Sequence, residues 1–207
     1  MANTLTVAAI LFPGFELLDV FGPLEAFGML AESGKCKVLT VGEKGGAVAS
    51  RQGPRTATDH GFDDCPPLDI FLVPGGLGTR DAVSNDRFLN WIRERAQSAR
   101  FVMSVCTGTA LLARAGLLDG RNATTNKFAF KWVAEQGPKV NWIKQARWVE
   151  DGKFWTSSGV SAGIDMTLAL IAKLEDLKTA ELIANRMEYD WHRDASWDPF
   201  AKIHGLV

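Results

Sequence analysis

Apolar runs recur along the chain, each closed by turn residues and most followed by apolar positions at helical spacing. Leu5 to Phe12 is almost continuously apolar and stops at Pro13-Gly14, the pattern of a strand buried on both faces. Phe21, Leu24, Phe27 and Leu30 then repeat at helical spacing, with Asp19 placed as N-cap and Pro23 in the first turn. Cys36 to Val41 reads as another strand. Gly45-Gly46 and Gly53-Pro54 bracket a hairpin-like excursion reaching about Ala57. Asp69 to Val73 is a strand ended by Pro74-Gly75-Gly76. A helix over 85–98 precedes a strand from Phe101 to Val105, which runs into a short helix from Thr107 to Ala115 with Gly116 at its left-handed end. The pattern then predicts a helix over 128–135, a hairpin over 147–156 turning at Asp151-Gly152, and helices over 162–173 and 179–187. Alternation of strands and helices implies one α/β domain over 1–207, its mostly parallel sheet covered by helices on both faces.

Composition narrows the partners. The 207 residues suffice for a real core, and 23 basic against 24 acidic side chains leave no net field directing the protein to nucleic acid or an anionic membrane. No apolar stretch approaches the ~20 residues of a membrane span, and no basic residue before Lys35 suggests a secretory leader. Cys36, Cys65 and Cys106 are odd in number and far apart, which fits a reduced, cytoplasmic setting rather than a disulfide framework. His60, His192 and His204 show no metal-ligand spacing, and the glycine clusters match neither a P-loop nor a dinucleotide fingerprint. No metal or cofactor is expected; the partner class is a small molecule.

In open α/β sheets ligands bind at the carboxyl ends of strands. The loops 12–19, 74–78 and 104–108 all follow apolar strands, so neighbouring strands would gather them in one crevice. Cys106 stands where a buried strand meets a helix, in a turn like the nucleophile elbow of hydrolases. The positive end of that helix would favour the nucleophilic thiolate. A buried, inert cysteine fits the same position, and the residues alone leave both readings open. Asp19 is equally double: a helix cap, or a carboxylate at the crevice mouth able to carry protons, with Glu16 its competitor. Phe15, Leu77 and Phe128 are candidate pocket walls.

The motifs Leu18-Asp19-Val20-Phe21-Gly22-Pro23, Pro74-Gly75-Gly76, Ser104-Val105-Cys106-Thr107-Gly108, Gly116-Leu117-Leu118-Asp119-Gly120, Ala123-Thr124-Thr125 and Ser161-Ala162-Gly163-Ile164-Asp165 follow one another as in the ThiJ/PfpI superfamily. Across essentially the whole chain the sequence resembles that superfamily, and within it the isonitrile (isocyanide) hydratase branch. The resemblance implies a flavodoxin-like, doubly wound sheet and a homodimer. It also implies a cysteine nucleophile that attacks the isocyanide carbon to give a thioimidate, from which water releases an N-substituted formamide. By motif, Cys106 is the nucleophile, Asp19 the acid and base, and Thr107 a catalytic neighbour. Gly75, Gly76, Thr107 and Asn126 fall to substrate binding, with the N–H groups of Gly76 and Thr107 cradling the attacked end. One departure stands out. Many members carry a histidine after the Thr-Thr pair, and here the residue is Asn126, which removes a Cys–His dyad and the amidase chemistry that needs one. Glyoxalase-like conversion of a small α-oxoaldehyde and redox or ligand sensing through the same cysteine are the alternatives. Regulators with this domain append a DNA-binding region, and none is expected here.

Overall fold

The computed structural model describes residues 4–207. Its elements in chain order are β1 (Leu5–Leu11), α1 (Leu17–Ala31), β2 (Cys36–Gly42), β3 (Gly46–Ala49), β4 (Arg55–Thr58), β5 (Ile70–Val73), α2 (Thr79–Ala82), α3 (Asp86–Ser98), β6 (Phe101–Ser104), α4 (Thr109–Arg114), β7 (Asn122–Ala123), α5 (Phe130–Gln136), β8 (Asn141–Trp142), β9 (Trp148–Asp151), β10 (Phe154–Ser157), α6 (Ala162–Leu174), α7 (Leu177–Arg186) and α8 (Phe200–Ile203). The main sheet runs β2-β1-β5-β6-β10-β9, parallel throughout except for the final β10–β9 hairpin. With the β3–β4 hairpin set aside, the parallel strands stand in the order 2-1-3-4-5 of their succession, the flavodoxin-like arrangement. The fold class expected from the alternation of elements is therefore the observed one.

Physical causes for these elements lie in their residues. Every residue of β1 and β5 is buried, because each strand has neighbours on both edges and helices on both faces. Val7, Ile10, Phe71 and Leu72 are fully buried, each removing apolar surface worth about 1.5–3 kcal/mol from water. One helical layer is α1, α6 and α7; α3, α4 and α5 pack together as another. Asn85 caps α3 by accepting the Phe88 N–H at 3.1 Å, and Phe88, Leu89, Ile92 and Ala96 form its buried face. Asp176 does the same for α7 through the Thr179 N–H at 2.7 Å.

The start of α1 departs from expectation. The helix begins at Leu17, its N-cap position is Glu16 without a capping side chain, and Asp19 lies inside the first turn, fully buried. Pro23 sits deeper in the helix than expected. The short α2 and α8 and the parallel β7–β8 pair carry too few residues to leave a periodic signal.

Register sets the site. Val73 of β5 pairs with Ser104 of β6, so the loops after these strands start side by side. They then approach so closely that a Cβ on Gly108 would lie 2.2 Å from the Val73 carbonyl oxygen. Gly28, in α1, has nothing within 4 Å of the same position. Gly108→Ala is expected to lower unfolding free energy by about 2–3 kcal/mol or more through forced backbone movement. Gly28→Ala should raise it by about 0.5–1 kcal/mol by stiffening the unfolded chain and favouring helix. Urea unfolding of the two variants checks both signs.

Candidate active site

Cys106 follows β6 with a backbone φ of 56°, a left-handed conformation that costs a side-chain-bearing residue energy and persists only where its surroundings hold it. The surroundings are explicit. The Cys106 N–H donates to the Ser158 carbonyl at 3.0 Å, and the Cys106 carbonyl accepts the Thr125 hydroxyl at 2.7 Å. The elbow is thus clamped from the end of β10 on one side and the Thr124-Thr125 pair on the other. Residues 106–108 form a 3-10 turn leading into the six-residue α4.

Asp19 comes to the same place from α1. Its Oδ2 accepts the Gly75 N–H at 2.8 Å, while Oδ1 is buried and has no hydrogen-bond partner. Burial holds the Asp19 carboxyl well above its ordinary range, against the Gly75 N–H, which pulls it down. Burial also pushes the Cys106 thiol up to about 12, helped by the charge of Asp19 and opposed by the N–H groups of Val160 and Thr107. Here the expectation of a dipole-stabilised thiolate is corrected. The short α4 offers only a fraction of a charge, whereas burial of the thiol strips hydration from the anion.

The proposed cradle is also rearranged. The Gly76 N–H donates to Thr107 Oγ1 at 3.0 Å and the Gly75 N–H to Asp19, so neither is free to hold a substrate. The N–H groups aimed at the sulfur are those of Thr107 and Val160, the latter at a strained φ of 33°. Thr107 Oγ1 in turn lies 3.2 Å from Thr79 Oγ1, tying the elbow to α2. Asn126 uses its Oδ1 to accept the Ala129 N–H at 3.0 Å, and its amide nitrogen is packed against Gly159. It makes no hydrogen bond to Cys106. The named walls do not close around the sulfur: Phe15 is in the core, and Phe128 is 84% exposed with its ring edge-on to His204. A cavity of about 610 Å³ opens beside Pro13, Gly78 and the β3–β4 hairpin, but Cys106, Asp19 and Thr107 do not line it.

Sequence reasoning missed the ion pair behind the elbow. Lys127 Nζ lies 3.1 Å from Asp198 Oδ2, with both side chains 1% exposed. The same ammonium donates to Thr124 Oγ1 at 2.6 Å and to the Thr125 carbonyl at 3.2 Å, so it braces the segment that clamps Cys106. A second buried pair, Arg147 with Asp165 at 2.6 Å, receives the His192 N–H on the free carboxylate oxygen. These two pairs fasten the aromatic tail across α6 toward the elbow. Thr124-Thr125 was the only signal in the sequence; nothing linked it to Asp198. Among the described residues no group of His, Cys, Asp and Glu could hold a metal ion, and no helix is long and apolar enough to cross a membrane.

The sheet order and the strained Cys106 turn place the chain among flavodoxin-like α/β proteins, and the DJ-1/PfpI family model matches residues 5–173. The chain belongs to the DJ-1/PfpI family. It is 37% identical over 186 residues to the isonitrile hydratase of Pseudomonas putida, a match covering 89% of this chain and 78% of that one. It is 28% identical to the HTH-type transcriptional regulator GbdR of Pseudomonas aeruginosa, covering 91% of this chain and 52% of the regulator, about half its length. The crystal structure of a ThiJ/PfpI family protein from Pseudomonas syringae superposes with a TM-score of 0.83 at 32% identity, covering 92% of this chain and 77% of that one.

Two outcomes are expected. Lys127→Met leaves the Asp198 carboxylate buried without its countercharge and should destabilise the fold by about 3–5 kcal/mol; adding Asp198→Asn should restore part of the loss in urea unfolding. For Cys106, thiolate absorbance assigned by difference from Cys106→Ala should stay absent at neutral pH and emerge only toward about 12. The unfolded-state thiol titrates near about 8.5, so the thiol's contribution to stability is present below that value. It is lost as pH rises toward the folded-state value, and wild type should lose stability there faster than Cys106→Ala.

Proposed function

We propose that the protein hydrates a small isocyanide to an N-substituted formamide. In this reading the chain is one domain that works as a cytoplasmic homodimer. The observation that carries it is the pairing of a buried neutral thiol with a buried carboxyl whose Oδ1 is unpartnered. The likeness to the isonitrile hydratase supports the same chemistry.

An isocyanide accepts a nucleophile and a proton at one atom, its terminal carbon. A neutral thiol therefore adds across it without leaving net charge in a site that resists charge. Cys106 Sγ forms the bond to carbon, Asp19 Oδ1 gives its proton to the same carbon, and the thiol proton passes to Asp19. The product is a thioimidate. Water then adds its oxygen to that carbon and, through Asp19, a proton to the nitrogen. The carbon–sulfur bond breaks as the hydroxyl proton returns to sulfur, releasing formamide and thiol. No leaving amine has to be protonated, so Asn126 in place of histidine is no obstacle. His60, His192 and His204 take no part: they engage Asp64, Trp197 and Phe128. A thiol that titrates near about 12 is a poor target for peroxide, which weighs against oxidation sensing.

The test is chromatographic. The protein without added metal should convert a simple alkyl isocyanide to its formamide and consume methylglyoxal far more slowly. Cys106→Ala should abolish turnover. Asp19→Asn, which keeps an oxygen for the Gly75 N–H, should lower kcat by ~10²-fold or more. Consumption of methylglyoxal with isocyanides untouched would replace this reading with the glyoxalase-like one.

A further inference from the structure

Arg80 is tied through Thr79 to the turn that carries Cys106, close enough to feel its charge, and no carboxylate neutralises it. Its guanidinium carbon lies 3.9 Å from the centroid of the Trp132 ring, and Nη1 donates to Thr79 Oγ1 at 3.0 Å. Thr79 Oγ1 donates to the Gly76 carbonyl at 2.7 Å and sits 3.2 Å from Thr107 Oγ1, so the cation is connected through hydroxyls to the residue following the nucleophile. Among the described residues Arg80 forms no ion pair, although twelve others are found. Neither acidic group of the site pairs with Arg80. Asp19 accepts from Gly75, while Glu16 accepts from Gln52 Nε2 and has Arg51 at 3.7 Å. Arg51 is a second cation on the same side, and a negative charge at Cys106 would favour the charged form of Arg80, against its burial.

We infer that Arg80 is an anion-recognition residue, and that the isocyanide admitted to Cys106 carries a carboxylate on its carbon chain. This rests on the hydration reading above and names its substrate class. A guanidinium has five N–H donors in a planar fork that fits a carboxylate with paired hydrogen bonds. Stacking on Trp132 fixes the fork before the ligand arrives, lowering the ordering cost of binding. A neutral alkyl isocyanide gains nothing from a half-buried cation so placed. Packing against Trp132 alone would give Arg80 a role in stability but none in charge selection.

The experiment compares isocyanoacetate with its methyl ester on wild type, Arg80→Gln and Arg80→Lys, with thermal melts as the folding control. Wild type should favour the acid in kcat/KM. Arg80→Gln should raise KM for the acid by about tenfold or more and collapse the acid-to-ester ratio toward one. Arg80→Lys should recover only part, since lysine keeps the charge without the fork. Equal use of acid and ester by wild type, or an equal loss of both in Arg80→Gln, overturns the inference and leaves the hydration reading standing. Calorimetry with N-formylglycine and its amide separates the two ideas if no isocyanide is turned over. Tighter binding of the acid that disappears in Arg80→Gln upholds the anion site without hydration, and its absence overturns the inference as well.

Discussion

The hydrogen bond from the Gly75 N–H to Asp19 Oδ2 joins the end of β5 to the first turn of α1 inside the protein, at 2.8 Å. It fixes which carboxylate oxygen is spent on structure and which is left for chemistry, since Oδ1 has no partner. The bond exists only because the chain segments meet without room for side chains. A Cβ on Gly75 would fall 2.6 Å from the Thr107 nitrogen and 2.8 Å from Asp19 Oδ2. The same constraint recurs at Gly108 and Gly76, whose added Cβ atoms would collide with the backbone at Val73 and Gly14. Three turns are therefore interlocked, and the placements of Cys106, Asp19 and Thr107 relative to one another are one geometric fact.

What sequence could disclose followed from this. Apolar runs ending in Pro13-Gly14, Pro74-Gly75-Gly76 and Ser104 marked strands buried on both faces, and their parallel register brings the following loops together. Asp19 was visible as a carboxylate near a helix start but not as a buried one. A cap and a first-turn residue differ by a few positions, and burial depends on where β5 ends. For Cys106, the following helix was legible while desolvation was not, because burial arises from segments distant in sequence, such as the one that brings Ser158 and Val160 against the turn. Lys127, Asp198, Arg80 and Trp132 left no local pattern: ion pairs and stacking between separate elements arise only from tertiary packing.

Two kinds of charge burial surround the site and differ in purpose. Lys127 with Asp198 and Arg147 with Asp165 are matched pairs, whose desolvation is offset by close opposite charge and further hydrogen bonds. The thiol and carboxyl of the site are not matched in this way. Burial makes ionisation of both harder, and the charge of Asp19 opposes that of Cys106 further, so a proton is kept available where a reacting carbon would sit.

The Lys127–Asp198 pair gives the elbow a direction in time. A ribosome makes the chain from its amino end, so β6, the Cys106 turn and Lys127 all emerge before the residue that neutralises Lys127. Until Asp198 arrives, that ammonium has every reason to stay hydrated, and Thr124-Thr125 lacks its brace against the Cys106 carbonyl. A nascent chain can thus assemble its whole main sheet before the pair that braces the Cys106 turn is complete.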